Sequence, residues 1–545
     1  MSSDLVLDEL DDFGIEDLPA VARLVHWAGM LGARVLISSA TLPPALVQGM
    51  FDAYRDGRNL YARNRGERPG VMPAISCAWL DEFRQSRQDC ADTASFAHAH
   101  SAFARQRHAE LSKALVRRRA ELLPLALGGK SLDEARQGFA LQVRDAAVRL
   151  HTRHHDIDPA SGRRVSFGLV RMANIEPLYD VALALYRLGA PEGMRIHLCV
   201  YHSQYPLLMR SAIEHQLDHA LDRRDAQAVF RRPDIRQQLD AHAEPDQRFI
   251  VLGSPVTQVG RDHDYDWAVV EPSSMRSLIQ LAGRVWRHRP QRECTSPNLR
   301  VFDSTLRHWK DRDRAAYCRP GFELHSGEFS LRSHKLSDLL RPDERDIIDA
   351  RPRILPRMDE PLRPQTSLVD LEHARMQRTM LAPALPAPVT PPSSSHRQRL
   401  GGPAGVASLG AYHWWHLPHA DALLTAVLPQ HQPFRADSQK RIELCLLPGE
   451  DGIGYELHYV GEQKYGPDLY TLIEHSRHTR IAASQLDGPR IQPWGESDYM
   501  AALTTLAAER NMSPGECAKR FGKVSVPDHE RGWRFHPALE FSKRK

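Results

Sequence analysis

The sequence predicts an α/β fold organised around a mostly parallel, doubly wound sheet. Three observations carry this expectation. Apolar runs of strand length recur along the chain, amphipathic stretches of helix length alternate with them, and a proline- and serine-rich stretch sets a smaller end unit apart. Continuous apolar runs mark strands buried on both faces, and alternation with helices makes neighbouring strands parallel.

The first elements are the apolar runs 4–7 and 34–38, with an amphipathic helix from Leu18 to Met30 between them. A third strand is expected near Met72–Cys77. From about 92 to 155 the pattern turns helical and charged, with helices over Ala104–Leu123 and Ser131–His151. Alternation then resumes. Strands are expected at Val165–Val170, Arg195–Tyr201, Phe249–Ser254, Trp267–Glu271 and Leu299–Asp303, and helices at Ile175–Leu188, Pro206–Leu221 and Met275–Trp286. Residues 351–404 hold Pro383, Pro386, Pro388, Pro391, Pro392 and Ser393–Ser395 with little periodicity, so they read as a linker. The unit from 405 to 545 opens on Tyr412, Trp414 and Trp415, aromatics expected to pack a small core rather than to stack bases. Strands at Arg441–Leu446 and Gly454–Val460 and a helix at Asp498–Glu509 follow.

A chain of 545 residues is too long for one core, and about three domains are expected. The net charge of +4 does not announce a nucleic-acid partner, although a local basic groove would not show in the sum. No secretory leader precedes the first apolar run, and no run approaches the ~20 residues of a membrane span, so no membrane partner is expected. The seven cysteines form no CxxC pair, which argues against a disulfide framework or a zinc site and for the reducing cytoplasm.

Four motifs carry chemistry. Asp8-Glu9-Leu10-Asp11 ends the first strand, where open α/β sheets bind ligands. Phosphoryl transfer to water needs a carboxylate to hold Mg2+, a role that suits Asp8 acting through water, and a group that orients the attacking water, a role for Glu9. The alternative is a solvated acidic loop. Ser39-Ala40-Thr41 ends the next strand and could hydrogen-bond the first motif, relaying its state; the alternative is a helix cap. Thr257-Gln258-Val259-Gly260-Arg261-Asp262-His263-Asp264-Tyr265-Asp266 alternates three aspartates on one face of an extended segment. A calcium loop is excluded there, since Trp267 stands where that loop wants glycine and Ser273 where it wants glutamate. Finally, Gln280, Arg284 and Arg287, around Gly283, fall on one helical stripe, and two guanidiniums so placed can clamp a triphosphate. The alternative is a basic solvated face.

Singly each motif is weak. The ordered set, DExD, SAT, a Thr…Gly-x-Asp segment and QxxGRxxR, resembles superfamily 2 helicases. The resemblance implies ATP and Mg2+ between two RecA-like lobes, carboxylates from the first and arginines from the second, with Asp11, Gly260, Asp262, Gln280 and Gly283 also at the nucleotide. The strings 7–13, 166–174, 201–203, 256–266 and 415–421 narrow it to the helicase–nuclease of type I CRISPR systems, most like subtype I-F. It implies an incomplete first RecA-like lobe over 1–85 and a charged helical insertion over 86–160. A complete second lobe over 161–350, the linker over 351–404 and an α+β accessory domain over 405–545 follow.

The implied activity is ATP-driven translocation on single-stranded DNA, unwinding target DNA for degradation in antiviral defence. The implied partners are displaced-strand DNA, an RNA-guided surveillance complex and, through an N-terminal adaptation module, the CRISPR integrase. Arg171, His202, Ser203 and Thr257 follow second-lobe strands and are expected to touch DNA phosphates. The family's phosphate loop, HD nuclease and adaptation module are not found, so a truncated or split product is expected, inactive alone and poorly soluble because apolar surface and sheet edges lie open. Gly129-Lys130-Ser131 is not that loop, since Pro124 stands at its first glycine, and Ser131–Glu134 reads as a capping box. His151, His154, His155 and Asp156 read as a surface loop rather than a nuclease centre. The competing readings are a non-catalytic remnant that binds DNA or the surveillance complex, and a general superfamily 2 remodelling helicase.

Overall fold

In the computed structural model the described residues are 3–65, 71, 74–127, 131–258, 260–318, 322–357, 360–381, 410–416, 433–434, 439–449, 454–461, 463, 466–495 and 498–544. The fold is mixed α/β, with parallel sheets and helical insertions. Strand β1 (Leu5–Asp8), helix α1 (Leu18–Met30), strand β2 (Val35–Ser38) and helix α2 (Pro44–Arg65) form a parallel two-stranded unit. Proline in the first turn starts both helices without costing a ladder hydrogen bond. The register pairs Leu5 with Val35 and Asp8 with Ser38, an offset of thirty residues. Val6 and Leu36 lie side by side in this register and are 61% and 54% exposed, so one face of the pair is bare.

The expected third strand does not join this unit. Met72 lies outside the described residues, and β3 (Ile75–Leu80) instead pairs antiparallel with β4 (Gln85–Cys90) as a separate hairpin. Helix α3 (Thr93–Lys113) follows, opened by an Asp92–Ser95 capping box. The stretch read as helix to Leu123 ends in a strand, β5 (Ala120–Leu123), because its apolar residues find a sheet edge to pair with. Next come α4 (Leu132–Arg153), β6 (Asp156–Ile157), β7 (Arg164–Arg171), α5 (Ile175–Leu188), β8 (Met194–Tyr201), α6 (Leu207–Ala220), α7 (Pro233–Ala241), β9 (Asp246–Gly253), β10 (Trp267–Val270), α8 (Met275–Ala282) and β11 (Leu299–Phe302).

These strands make the main sheet. Its order is β8-β9-β7-β10-β11-β5, all parallel, with short β6 antiparallel on β7. The chain winds to one side of β7 and then to the other, and helices cover both faces. Helices α4 and α5 pack with Val170, Leu198, Trp267 and Val269, and α6 and α8 with Leu169, Tyr201 and Val270. Glycine is required at position 168, where an added Cβ would stand 2.1 Å from the Trp267 indole laid across β7.

The remaining strands are β12 (Arg441–Pro448), β13 (Tyr455–Gly461), β14 (Leu469–Leu472), β15 (His478–Arg480), β16 (Ile491–Pro493), β17 (Lys523–Pro527), β18 (Trp533–His536) and β19 (Glu540–Lys543). They form antiparallel β14-β13-β12-β17 and a β15-β18-β19 sheet, but β16 lies parallel on β8 and extends the main sheet. Both edges of that sheet therefore come from segments read as lying outside it.

Three further expectations meet a different arrangement. The linker prolines at 383–392 lie outside the described residues, yet residues 368–380 within the same stretch form a buried helix against α2 and α8. The aromatic helix Ala411–Trp415 packs on α1, with Trp415 stacked on His26 at 6.1 Å. The histidine group at 151–155 is not a surface loop. His151 is buried between the Ser166 hydroxyl, 2.7 Å away, and the Asp246 carboxylate, 3.0 Å away, and His154 bonds the Pro297 carbonyl at 2.8 Å. Ser131 caps α4 with Glu134 in the expected box, and Gly129 and Lys130 lie outside the described residues.

Candidate nucleotide site

The thirty-residue offset of β1 and β2 continues past the strand ends and matches the first two motifs residue by residue. Asp8 lies opposite Ser38 and is exposed, and its carboxylate makes no hydrogen bond among the described residues. Glu9 sits at φ 49°, ψ 46°, a left-handed conformation rare for a side chain with a Cβ and one that marks functional turns. Its Oε2 accepts the Ser39 hydroxyl at 3.2 Å. Thr41 Oγ1 donates to Asp11 Oδ2 at 2.5 Å. The Ala40 carbonyl accepts both terminal nitrogens of Arg107 at 3.4 Å, and Arg107 also grips Glu82 of the β3–β4 turn.

Asp11 is buried with both oxygens engaged, the second by Arg353 Nη2 at 2.5 Å. Arg353 also bonds Glu372, which accepts the amides of Met275, at 2.6 Å, and Arg276, at 3.3 Å, in the first turn of α8. Arg276 returns to the carbonyls of Asp11, at 2.6 Å, and Phe13, at 2.9 Å, while Gln280 donates to Asp12. A buried lattice thus ties the first motif to the helix that leads into the fourth. Burial pushes Asp12 and Glu372 up, and Arg353, disfavoured by burial, is held charged by Asp11 and Glu372.

The second half of the site is a turn rather than a helical stripe. Helix α8 stops at Ala282, Trp286 takes φ 52°, and Val285 bridges to Tyr265, so Arg284 and Arg287 lie beyond the helix that carries Gln280. Arg118 braces this turn, donating to the carbonyls of Val285 at 3.0 Å and Gly283 at 3.4 Å; burial lowers its pKa to about 9.

Arg284 wraps the third motif by bonding the carbonyls of Arg261 and of Gln258, the latter at 2.7 Å. The three alternating aspartates each meet cations. Asp262 accepts from Arg287 and Arg224 and has His288 Nε2 3.2 Å away; Asp264 and Asp266 share Arg289 at 2.8 and 2.6 Å. Desolvation pushes Asp262 up, but these three partners outweigh it and hold the carboxyl well below the usual range. Gly260 is exposed at φ 65° with nothing within 4 Å of a would-be Cβ, an open approach to backbone. The terminal nitrogens of Arg287 make no hydrogen bond among the described residues.

The two halves face one another. Burial and Arg287 lower the Arg284 pKa, and the Glu9 carboxylate opposes both. An exposed carboxylate, a second carboxylate poised by a serine, an open glycine and a guanidinium with free ends suit a magnesium-bound phosphate ester.

The expected DNA-facing residues divide. Arg171, at the end of β7, is fully buried and donates to Ser277 at 2.7 Å. His202 is buried between the Gln204 amide, which donates to Nδ1 at 3.1 Å, and the Leu539 carbonyl, 3.0 Å from Nε2; burial lowers its pKa to about 4. Thr257 is buried and bonds the Ser254 carbonyl at 3.0 Å. Ser203 alone of the four is exposed. The other three are held inside by packing and internal bonds that motif position does not reveal. Conversely, no local pattern marked Arg353, Glu372 or Arg118, since each acts on residues far away in the chain.

Comparison with known proteins agrees with the motif order. Residues 446–543 match the model of the Cas3-like C-terminal domain of CRISPR-associated Cas3 subtype I-F/YPEST, and residues 164–290 match that of the C-terminal region of the CRISPR-associated nuclease/helicase Cas3. The chain is 45% identical to the CRISPR-associated nuclease/helicase Cas3 subtype I-F/YPEST of Pseudomonas aeruginosa, over 100% of this chain and 47% of that protein. It is 38% identical to the same protein of Pectobacterium atrosepticum, over 99% and 46%. The chain therefore spans about half the length of the curated relatives it matches. A solved structure of T. fusca Cas3 aligns with a TM-score of 0.35 at 18% identity, covering 55% of this chain and 30% of that one.

Proposed function

With this chain homologous along its whole length to Cas3 nuclease/helicases of subtype I-F/YPEST, we propose that it is the ATP-driven single-stranded DNA translocase and helicase portion of a CRISPR interference effector. In this reading residues 1–85 are the rear of one RecA-like lobe and 161–350 the second, each with its sheet ending at the nucleotide. The observation that carries the proposal is the shared register that lays Glu9 on Ser39 and Asp11 on Thr41, with the Glu9 carboxylate acting on Arg284 across the site.

Mg-ATP, when bound, supplies an activated γ-phosphoryl group. Asp8 would hold the metal through water, and Glu9 would orient the attacking water. Arg287 would neutralise phosphate oxygens with its free nitrogens, while Arg284 holds the carbonyls of Gln258 and Arg261 near Gly260. Gln280 and Gly283 set the end of α8, and Asp262 aims Arg287. Ser39, Ala40 and Thr41 would carry the state of the carboxylates to the strand of DNA, which Ser203 can meet at its backbone. Arg171, His202 and Thr257 would shape that surface from beneath. Displaced-strand DNA, an RNA-guided surveillance complex and the CRISPR integrase are the proposed partners. No helix among the described residues is long and apolar enough to cross a membrane.

ATPase turnover with single-stranded DNA, with and without an added N-terminal half, tests this. Glu9→Gln or Arg287→Ala should reduce turnover about 10²-fold or more. Absence of turnover in every combination would sink the catalytic reading. A non-catalytic role in binding DNA or the surveillance complex is favoured by one observation, the Arg284 guanidinium being taken up by loop carbonyls. It predicts DNA binding unchanged by both substitutions.

A further inference from the structure

Beyond β11 the described residues between Asp303 and Leu340 form no strand, and they fold around a cavity of about 380 Å3. None of the residues lining it belongs to the candidate nucleotide site. The floor is rigid. Buried Glu323 accepts the amides of Ala316 and Tyr317 at 2.8 Å, the amide of Leu331 at 3.3 Å and His334 Nε2 at 2.7 Å. Its charge is therefore spent on the scaffold. The His334 ring stacks on His308 with centroids 4.5 Å apart, and His308 Nδ1 is buried without a hydrogen-bond partner among the described residues.

Above this floor stand Arg312, Arg332 and Lys335. All three are exposed, and among the described residues their side chains make neither an ion pair nor a hydrogen bond. Arg314 adds a fourth cation, loosely paired with Asp311 at 3.7 Å. The rim carboxylates are Asp313 and Asp338, and Asp338 is engaged by the Ser333 hydroxyl at 2.6 Å. Uncommitted arginines repel one another unless an anion draws them together, and the guanidinium fork matches the paired oxygens of phosphate. The position agrees, since the segment leaves from the carboxyl end of a parallel strand, the edge where such sheets bind ligands.

We infer that this cavity is a second phosphate-binding site, which grips a phosphate group of a single nucleic-acid strand or of a free phosphate compound. The inference does not rest on ATP hydrolysis, and Glu9→Gln and Arg287→Ala leave it intact. The test uses the full chain and an Arg312→Ala/Arg332→Ala/Lys335→Ala variant. Both are titrated with pyrophosphate by calorimetry and with a short labelled oligothymidine by fluorescence anisotropy. The three side chains are exposed, so thermal unfolding should not change; if it does, Arg332→Glu alone reads the same contrast. The triple variant should lose about tenfold or more in affinity, and its log–log salt dependence for the oligothymidine should flatten by about 2. Loss of oligothymidine binding, with or without loss of pyrophosphate, assigns the site to a strand backbone. Loss of pyrophosphate alone assigns it to a free phosphate compound. Unchanged affinity for both probes, or a wild-type chain that binds neither, overturns the inference.

Discussion

Arg353 is a single buried side chain that joins distant parts of the chain. It is buried between two carboxylates, Asp11 and Glu372, that belong to parts of the chain far apart in sequence. Removing one member of a buried ionic group leaves the others charged and unpaired. Arg353→Ala should therefore lower stability by about 3–5 kcal/mol, read from urea unfolding, and a change within about 0.5 kcal/mol would show that water reaches the lattice. Buried histidines set the response to acid. His100, His202, His263 and His373 are pushed down to about 4 and His197 to about 3, in each case chiefly by burial. Below an ordinary imidazole pKa of about 6.5 the unfolded chain takes up protons that the folded chain refuses. Stability is thus whole above pH about 6.5 and is lost progressively as pH falls toward about 4. The urea midpoint should drop between pH 7 and pH 5; equal midpoints would contradict these burials.

Among elements, the sheet edges are the informative ones. Strand β16 caps β8 through only three residues, Ile491–Pro493, and it is anchored by Arg490, whose guanidinium bonds the Ala190 carbonyl at 2.9 Å and the Pro191 carbonyl at 3.1 Å. Arg490→Ala should loosen this strand before the rest of the sheet. Hydrogen exchange would show faster amides at Ile491 and Gln492 and along β8, with β7 and β9 unchanged. The first sheet presents the reverse problem. Val6 and Leu36 form an apolar pair on an open face, and such faces drive association. Val6→Lys/Leu36→Lys should raise the monodisperse fraction in light scattering with little change in melting, because neither side chain is buried.

At the scale of the molecule, the C-terminal segments are part of the main sheet's support rather than an appendage. Besides β16, the Leu539 carbonyl binds His202, and Arg534 reaches Asp180 of α5 at 2.8 Å. Deleting residues 441–545 should bare the β8 edge and abolish a single cooperative thermal transition; an unchanged melt would show the two parts to be independent. This also marks how far the sequence could be read. Strands β7 to β11, helices α5 and α6 and the start of α8 were legible, since strands buried on both faces must be continuously apolar. That Ser39-Ala40-Thr41 could hydrogen-bond the first motif was legible, because both motifs end neighbouring strands; that Ser39 meets Glu9 and Thr41 meets Asp11 came from the structure. The order of the four motifs pointed to the same Cas3 relatives that the whole-chain comparisons reach. What only the tertiary structure decided is where distant charges meet. Arg353 sits in a stretch that reads as linker, β5 in one that reads as helix, and Arg171, His202 and Thr257 look outward by motif and are turned inward by packing. Periodicity reports which face of an element is apolar, a local property. Burial of an ion pair or closure of a sheet edge depends on partners hundreds of residues away, and no local pattern encodes them.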